Sequence, residues 1–303
     1  MDIVYKGRFS DLNIAFQYAI TTDLANHIVG RHQCDPVATH LLVRALTAGL
    51  LAAASGGGEE RINIRWTYGG SLQAILVDAG ADGTIRGLIN PPQFGEGGTV
   101  DALFGDRGDV RVVRSRGGRV LASGTVEACF MDVMDDLAAF LCMSDQVESS
   151  GTAVLALTDD PQQPVRIARG LLLHALPQCD LEQFQIVRDR LNVPEVREWM
   201  TRTEESAEGL EALLRSLVAP LDTDPAWTMA TASKPRFRCS CGADKMGPAL
   251  RSLPYADRVD IVAKKEPVHI RCHFCNERYS VPVEMCIKAW NEPRQPASAE
   301  EDK

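Results

Sequence analysis

Four cysteines close to the C-terminal end, in FRCSCGADKM (237–246) and IRCHFCNERY (270–279), have the types and spacing that most directly imply chemistry. Cys239 and Cys241 are one residue apart, Cys272 and Cys275 form a CxxC pair, and 30 residues separate the two halves. Thiolates are soft ligands, and four of them match the tetrahedral preference of Zn²⁺ in a closed structural site. The spacing predicts one Zn²⁺ per chain on Cys239, Cys241, Cys272 and Cys275. His269 and His273 flank the ligands. Four thiols already complete the site, so both histidines are expected as solvated side chains of a strand and a knuckle.

The CxC half suggests a second chemistry. Thiolates are the nucleophilic, oxidisable form of cysteine, and Lys234, Arg236, Arg238, Lys245, Arg271 and Arg278 surround the motif and are expected to favour that form. Oxidation of one thiolate to a sulfenic acid is resolved to a disulfide by a neighbouring thiol. In each half a second sulfur is adjacent in sequence, and a disulfide is no metal ligand. The other five cysteines, Cys34, Cys129, Cys142, Cys179 and Cys286, are scattered through apolar or helical stretches. They read as small buried hydrophobes.

Elements must position these residues. EPVHIRC and RYSVPV read as strands on either side of the CxxC, and LRSLPYADRVDIVA supplies one or two short helices between the halves. So short a segment builds little core, and metal binding would supply most of its folding free energy.

Upstream, residues 11–21 alternate enough for a strand, and Asp35-Pro36 reads as an N-cap and first helical residue opening a long apolar helix to Ala54. Gly56-Gly57-Gly58 stops that helix. RINIRWTY, SLQAILVD and TIRGLIN are short strands between glycine turns, and residues 109–115 and 119–126 form a hairpin. A helix over 131–143 and strands TAVLALT and VRIARGLLLHAL complete a sheet. Residues 180–193 and 195–218 are helical and amphipathic, expected to be thinly packed, and PLDTDPAWTMATASKP has a linker composition.

The fold class is α+β: an N-terminal, mostly antiparallel sheet with helices, a helical linker and a small C-terminal Cys₄ zinc domain. The expected division is 1–179 core, 180–238 helical linker, 239–290 zinc-binding domain and 291–303 disordered tail.

Charge follows the same division. Residues 1–233 carry 19 basic against 31 acidic side chains, whereas residues 234–290 carry 11 against 6. A basic module on an acidic body is favoured electrostatically, within the limits of salt screening. The N-terminal stretch has no basic region leading into an apolar run, and clustered thiols suit a reducing compartment, so a cytoplasmic protein is expected. The net charge of −9 argues against general nucleic-acid binding.

The arrangement CSC–x30–CHFC, with LRSLP after the first pair and a tyrosine after the second, resembles the redox-regulated heat-shock chaperones called 33 kDa chaperonins. GTIRGLI (83–89), LCMSDQV (141–147) and GLLLHALP (170–177) extend the resemblance over nearly the whole chain. The resemblance implies an ATP-independent holdase, not an enzyme, inactive while reduced and zinc-bound. It implies oxidation to Cys239–Cys241 and Cys272–Cys275 disulfides, zinc release, unfolding of the C-terminal module and linker, capture of unfolding client proteins, and a homodimer when oxidised. No nucleic acid and no membrane are expected as partners.

Two other classes compete. A zinc-ribbon nucleic-acid binder would use the basic module, but a Cys₄ zinc site itself carries −2, and Phe237, Phe274 and Tyr279 are few for base stacking. A salt-dependent gel shift would identify it. A thiol-disulfide oxidoreductase would place its CxxC beside a βαβ unit, which the strand context here lacks. Insulin reduction would identify that activity. No GxxxxGK[ST], HExxH or GxSxG motif occurs. Asp135-Asp136 reads as a helix face and Asp159-Asp160 as a turn.

Overall fold

The computed structural model describes residues 1–95, 99–202, 207–221, 225–242, 250–251 and 253–291. Lys245, part of the linker-like stretch and the tail from residue 292, expected to be disordered, lie outside the described residues. The chain divides into two compact units, Met1–Arg238 and Cys239–Lys303.

The N-terminal unit is organised around its most apolar helix. Asp35 accepts the backbone N–H of Ala38 at 2.7 Å, and Pro36 fills the first turn, so α2 (Pro36–Ala54) begins where the sequence places it. Before it runs α1 (Thr22–His32), an element not expected from the sequence although Leu24, Ala25, Ile28 and Val29 recur at helical spacing and form its buried face. Among the described residues only α2 has the length and hydropathy to cross a membrane, yet 83% of that window is buried inside the protein. A helix apolar all round must be covered all round. Two sheets do this, where the sequence suggested one.

The first sheet has the order β10-β1-β2-β9-β8, from β1 (Ile3–Phe9), β2 (Ile14–Ile20), β8 (Ser149–Leu157), β9 (Val165–Ala175) and β10 (Trp227–Ser233). The second runs β11-β5-β4-β3-β6-β7, from β3 (Glu60–Tyr68), β4 (Ala74–Gly80), β5 (Thr84–Asn90), β6 (Gly108–Arg116), β7 (Arg119–Glu127) and β11 (Arg236–Phe237). All described pairings in the two sheets are antiparallel except the short β11·β5 pair. Side chains are trimmed where α2 touches each sheet. A Cβ on Gly49 would lie 2.5 Å from Val77 of β4, and one on Gly170 of β9 would lie 2.5 Å from Thr47.

Period-two alternation gives the first sheet a second apolar face. Phe9, Ile14, Phe16, Tyr18, Leu171 and Leu173 form a cluster separate from the α2 core. The helices α5 (Leu181–Asp189), α6 (Pro194–Thr201) and α7 (Ala207–Val218) cover it with Phe184, Val187, Val196, Met200, Leu213, Leu214 and Leu217, all nearly inaccessible. These helices are therefore densely packed rather than thinly packed. Their sheet partner is the one their amphipathic faces demanded.

One further expectation changes. Residues 227–233, within the linker-like stretch, form β10 and pair antiparallel with β1, Phe9 opposite Trp227. The flanking prolines hid a strand rich in threonine and small residues. Asp136, read from the sequence only as part of a helix face, is fully buried.

Asp136 lies on α4 (Val133–Met143). Its carboxylate accepts Tyr68 Oη at 2.8 Å and the backbone N–H groups of Cys129 and Phe130, each at 2.9 Å. It pins the entry of α4 to β3. Burial, ahead of these bonds, raises its pKa above the usual carboxylate range. Asp136→Ala removes the acceptor of two part-buried backbone N–H groups and strands the buried Tyr68 hydroxyl; urea unfolding of the variant should show a loss of roughly 2–4 kcal/mol.

The C-terminal unit holds the hairpin β12 (Val268–Arg271) and β13 (Arg278–Val281), with α8 (Tyr255–Lys264) and α9 (Val283–Asn291). Its core is small: Leu250, Val281 and Cys286 are buried, with Leu253, Val268, Ile270, Met285 and Trp290 against them.

Candidate metal centre

The hairpin builds one half of the site. Val268 pairs with Val281 and Arg271 with Arg278, which leaves residues 272–277 as the connecting knuckle. Cys272 N–H donates to Glu277 O at 2.9 Å, and Asn276 N–H returns to Cys272 O at 2.8 Å. Asn276 takes φ of 58°, a left-handed conformation that asparagine tolerates. This tight loop buries both Cys272 and Cys275. Cys239 and Cys241 are half-buried and come from the segment just after β11.

The four Sγ atoms lie within 4.8 Å of one another, close enough to hold a metal ion. Cys239 and Cys272 are 3.8 Å apart, and Cys241 and Cys275 3.2 Å. A tetrahedron with metal–sulfur bonds of about 2.3 Å has edges of about 3.8 Å, so the donor set fits a zinc-sized ion. All nine cysteines are free thiols. Both of these approaches join the two halves of the motif.

Burial raises the Cys241 and Cys275 thiols above the ordinary cysteine range, opposed next by the hydrogen bond from Tyr279 at Cys241 and by the backbone bond at Glu277 for Cys275. The expected stabilisation of thiolates by flanking cations is not what governs these two. Arg236 is held by Asp82 through a 2.9 Å ion pair and a 3.0 Å bond to its backbone oxygen. Deprotonation at such buried thiols is a task for a metal, which as a dense positive charge deprotonates the sulfur it binds.

Tyr279 is a contributor that sequence reasoning considered only as a stacking aromatic. Its Oη lies 2.9 Å from Cys241 Sγ, and that hydrogen bond is the main cause raising its own pKa. The signal was available in the alternation of β13, where Tyr279 pairs with Ile270 and shares its face. His269 and His273 are exposed, as expected of solvated side chains. Of the scattered cysteines, Cys286 is fully buried in the small core, whereas Cys129 is exposed, against the expectation. Cys34, Cys142 and Cys179 are intermediate, and burial pushes the Cys34 thiol up to about 12.

Residues 2–282 match the family model described as Hsp33 protein. The chain is 32% identical over 270 residues to the 33 kDa chaperonin of Geobacillus kaustophilus, covering 86% of this chain and 88% of that protein. It is 31% identical over 298 residues to the 33 kDa chaperonin of Gloeobacter violaceus, covering 93% and 94%. Among solved structures, the 33 kDa chaperonin (Hsp33 homologue) of Thermotoga maritima aligns with a TM-score of 0.78 at 20% identity, covering 95% of this chain and 97% of that one. That likeness establishes the shared α+β fold.

Proposed function

The chain belongs to the Hsp33 family of chaperones, and on that premise we propose that it is an ATP-independent holdase switched by oxidation of Cys239, Cys241, Cys272 and Cys275. The observation that carries the reading is the four-sulfur cluster in a unit whose described residues form only a small apolar cluster. A bound Zn²⁺ would hold the four sulfurs as thiolates and clamp the CxC segment to the knuckle. As a thiolate Cys241 can only accept, so Tyr279 Oη, 2.9 Å away, would donate to it and orient that ligand. Tyr279→Phe should weaken zinc binding by about 10–100-fold, read by competition with a chromogenic chelator.

Peroxide oxidises one thiolate of each pair to a sulfenic acid, and the second thiol displaces water to form the disulfide. Pairing decides the consequence. Cys239–Cys241 and Cys272–Cys275 bridges would leave the two halves unconnected. Bridges across the halves would close loops of about 34–35 residues and staple the unit, a constraint worth roughly 3–4 kcal/mol. Release therefore requires pairing within each half, although the reduced sulfurs also approach one another across the halves. Peptide mass mapping of the oxidised chain distinguishes the two.

The N-terminal unit supports the second half of the switch. Only two residues, Arg236 and Phe237, form β11 against β5, and Cys239 follows at once. Phe237 packs on His27 with ring centroids 5.2 Å apart and lies under the Arg31 guanidinium. Loss of order beyond Cys239 removes the support on one side of this short anchor. In the proposed division, residues 180–238 then respond as the linker between the 1–179 core and the 239–290 switch. Release of α5–α7 would uncover the second apolar face of the first sheet, a contiguous surface of the kind that captures other chains.

The test combines three readouts on the full chain. Peroxide with mild heating should release one zinc per chain, raise hydrophobic-dye binding and suppress citrate synthase aggregation without ATP. Cys241→Ser should alter both zinc content and the response. Wild-type behaviour in that variant would remove the cluster from the mechanism.

A further inference from the structure

A pocket unrelated to the cysteine chemistry lies wholly within the N-terminal unit, on the face of the first sheet that turns toward α2. Its volume is about 570 Å³, within the range of small-molecule sites. Gln17 of β2 lines it and is 5% exposed, and its carboxamide oxygen is fully buried with no hydrogen-bond partner. The oxygen and nitrogen of a terminal amide are told apart only by their partners, so either can turn toward the cavity. A buried carboxamide oxygen without a partner is costly, and the end of the amide turned toward the cavity offers a hydrogen bond to a polar group placed there.

The charges around this amide are unbalanced. Lys6, directly opposite Gln17 in the β1·β2 register, and Arg8, opposite Ala15, are exposed at the mouth and form no ion pair among the described residues. The third cation, Arg114, is paired with Asp145 at 2.9 Å, and Asp145 is the only carboxylate in the lining. His174 adds no charge at neutral pH. Its ring lies 2.8 Å from Ser149 Oγ and 3.3 Å from Ser55 Oγ, and burial holds its pKa down to about 4. The remaining wall is mostly apolar, with Leu141, Val147 and Leu176 prominent.

We propose that this pocket binds a small amphipathic organic anion, with its carboxylate between Lys6 and Arg8, an adjacent N–H or O–H on the Gln17 carboxamide, and its apolar body against Leu141, Val147 and Leu176. An N-acylated apolar amino acid has this chemistry. The proposal is independent of the redox reading, because none of these residues belongs to the metal centre or to α5–α7.

The test is calorimetric titration of the reduced full chain with N-acetyl-L-phenylalanine and with its uncharged methyl ester. One acid should bind per chain, and the ester at least about tenfold more weakly. The Lys6→Ser/Arg8→Ser double variant, altered only at exposed positions, should weaken the acid by about tenfold and abolish the preference over the ester. Gln17→Leu should weaken both, provided its thermal unfolding matches wild type; if it does not fold, the double variant decides. No saturable binding below about 5 mM, a level at which binding free energy is only about 3 kcal/mol, overturns the proposal. Equal binding of acid and ester, or an undiminished double variant, does the same.

Discussion

Removal of the metal from the reduced protein is expected to unfold the C-terminal unit while the N-terminal unit stays folded. The reason is the disparity between their cores. The N-terminal unit buries most of a 19-residue helix between two sheets. Among the described residues, the apolar cluster of the C-terminal unit is built on buried Leu250, Val281 and Cys286, with Val283 and Ala289 also buried. Metal binding in comparable small modules contributes on the order of 10–16 kcal/mol, more than so small a set of buried side chains supplies. Trp290 reports on this directly, since its Nε1 donates to Leu250 O at 3.0 Å across the small core. Trp66, whose Nε1 donates to Val133 O at 3.0 Å, reports on the other unit. After chelation the Trp290 indole resonance should collapse to the unfolded position while Trp66 keeps its shift. A metal-free chain in which both persist would show that the sulfurs are not the clamp.

Leu217→Asp should produce a chaperone that needs no oxidant. Leu217 is fully buried on α7 in the cluster formed with Phe16, Leu171 and Leu173. An unpaired carboxylate there forfeits the burial of a leucine and must be desolvated or protonated, a loss of about 3–5 kcal/mol. The α2 core lies on the other face of the sheet and does not share this cluster. The loss should therefore fall on the attachment of α5–α7 and spare the fold as a whole. Hydrophobic-dye binding and suppression of citrate synthase aggregation should both rise in the reduced, metal-loaded variant. A variant with released helices but no capture of clients would place the client surface elsewhere.

Where sequence reasoning fell short, non-local contacts were responsible. The β10 strand exists because β1 offers it an open edge, and nothing within PLDTDPAWTMATASKP records that edge. Asp136 looks like any acidic residue in the first turn of a helix, and its burial follows only from the approach of Tyr68, 68 positions earlier. Density in α5–α7 was likewise set by the sheet. Their 3.6-residue period showed that a partner was needed but not how closely it would fit.

The sequence by itself determined the candidate ligand set and much of the local architecture, because thiol spacing, an Asp-Pro helix start and period-two alternation are written in neighbouring residues. Tertiary structure alone decided that the sulfurs converge across the two halves, that Tyr279 reaches Cys241, and that the Gln17 carboxamide oxygen lacks a partner, beside two cations with no ion pair, among the described residues. Those facts depend on distances between residues far apart in the chain, which packing sets and local pattern does not encode.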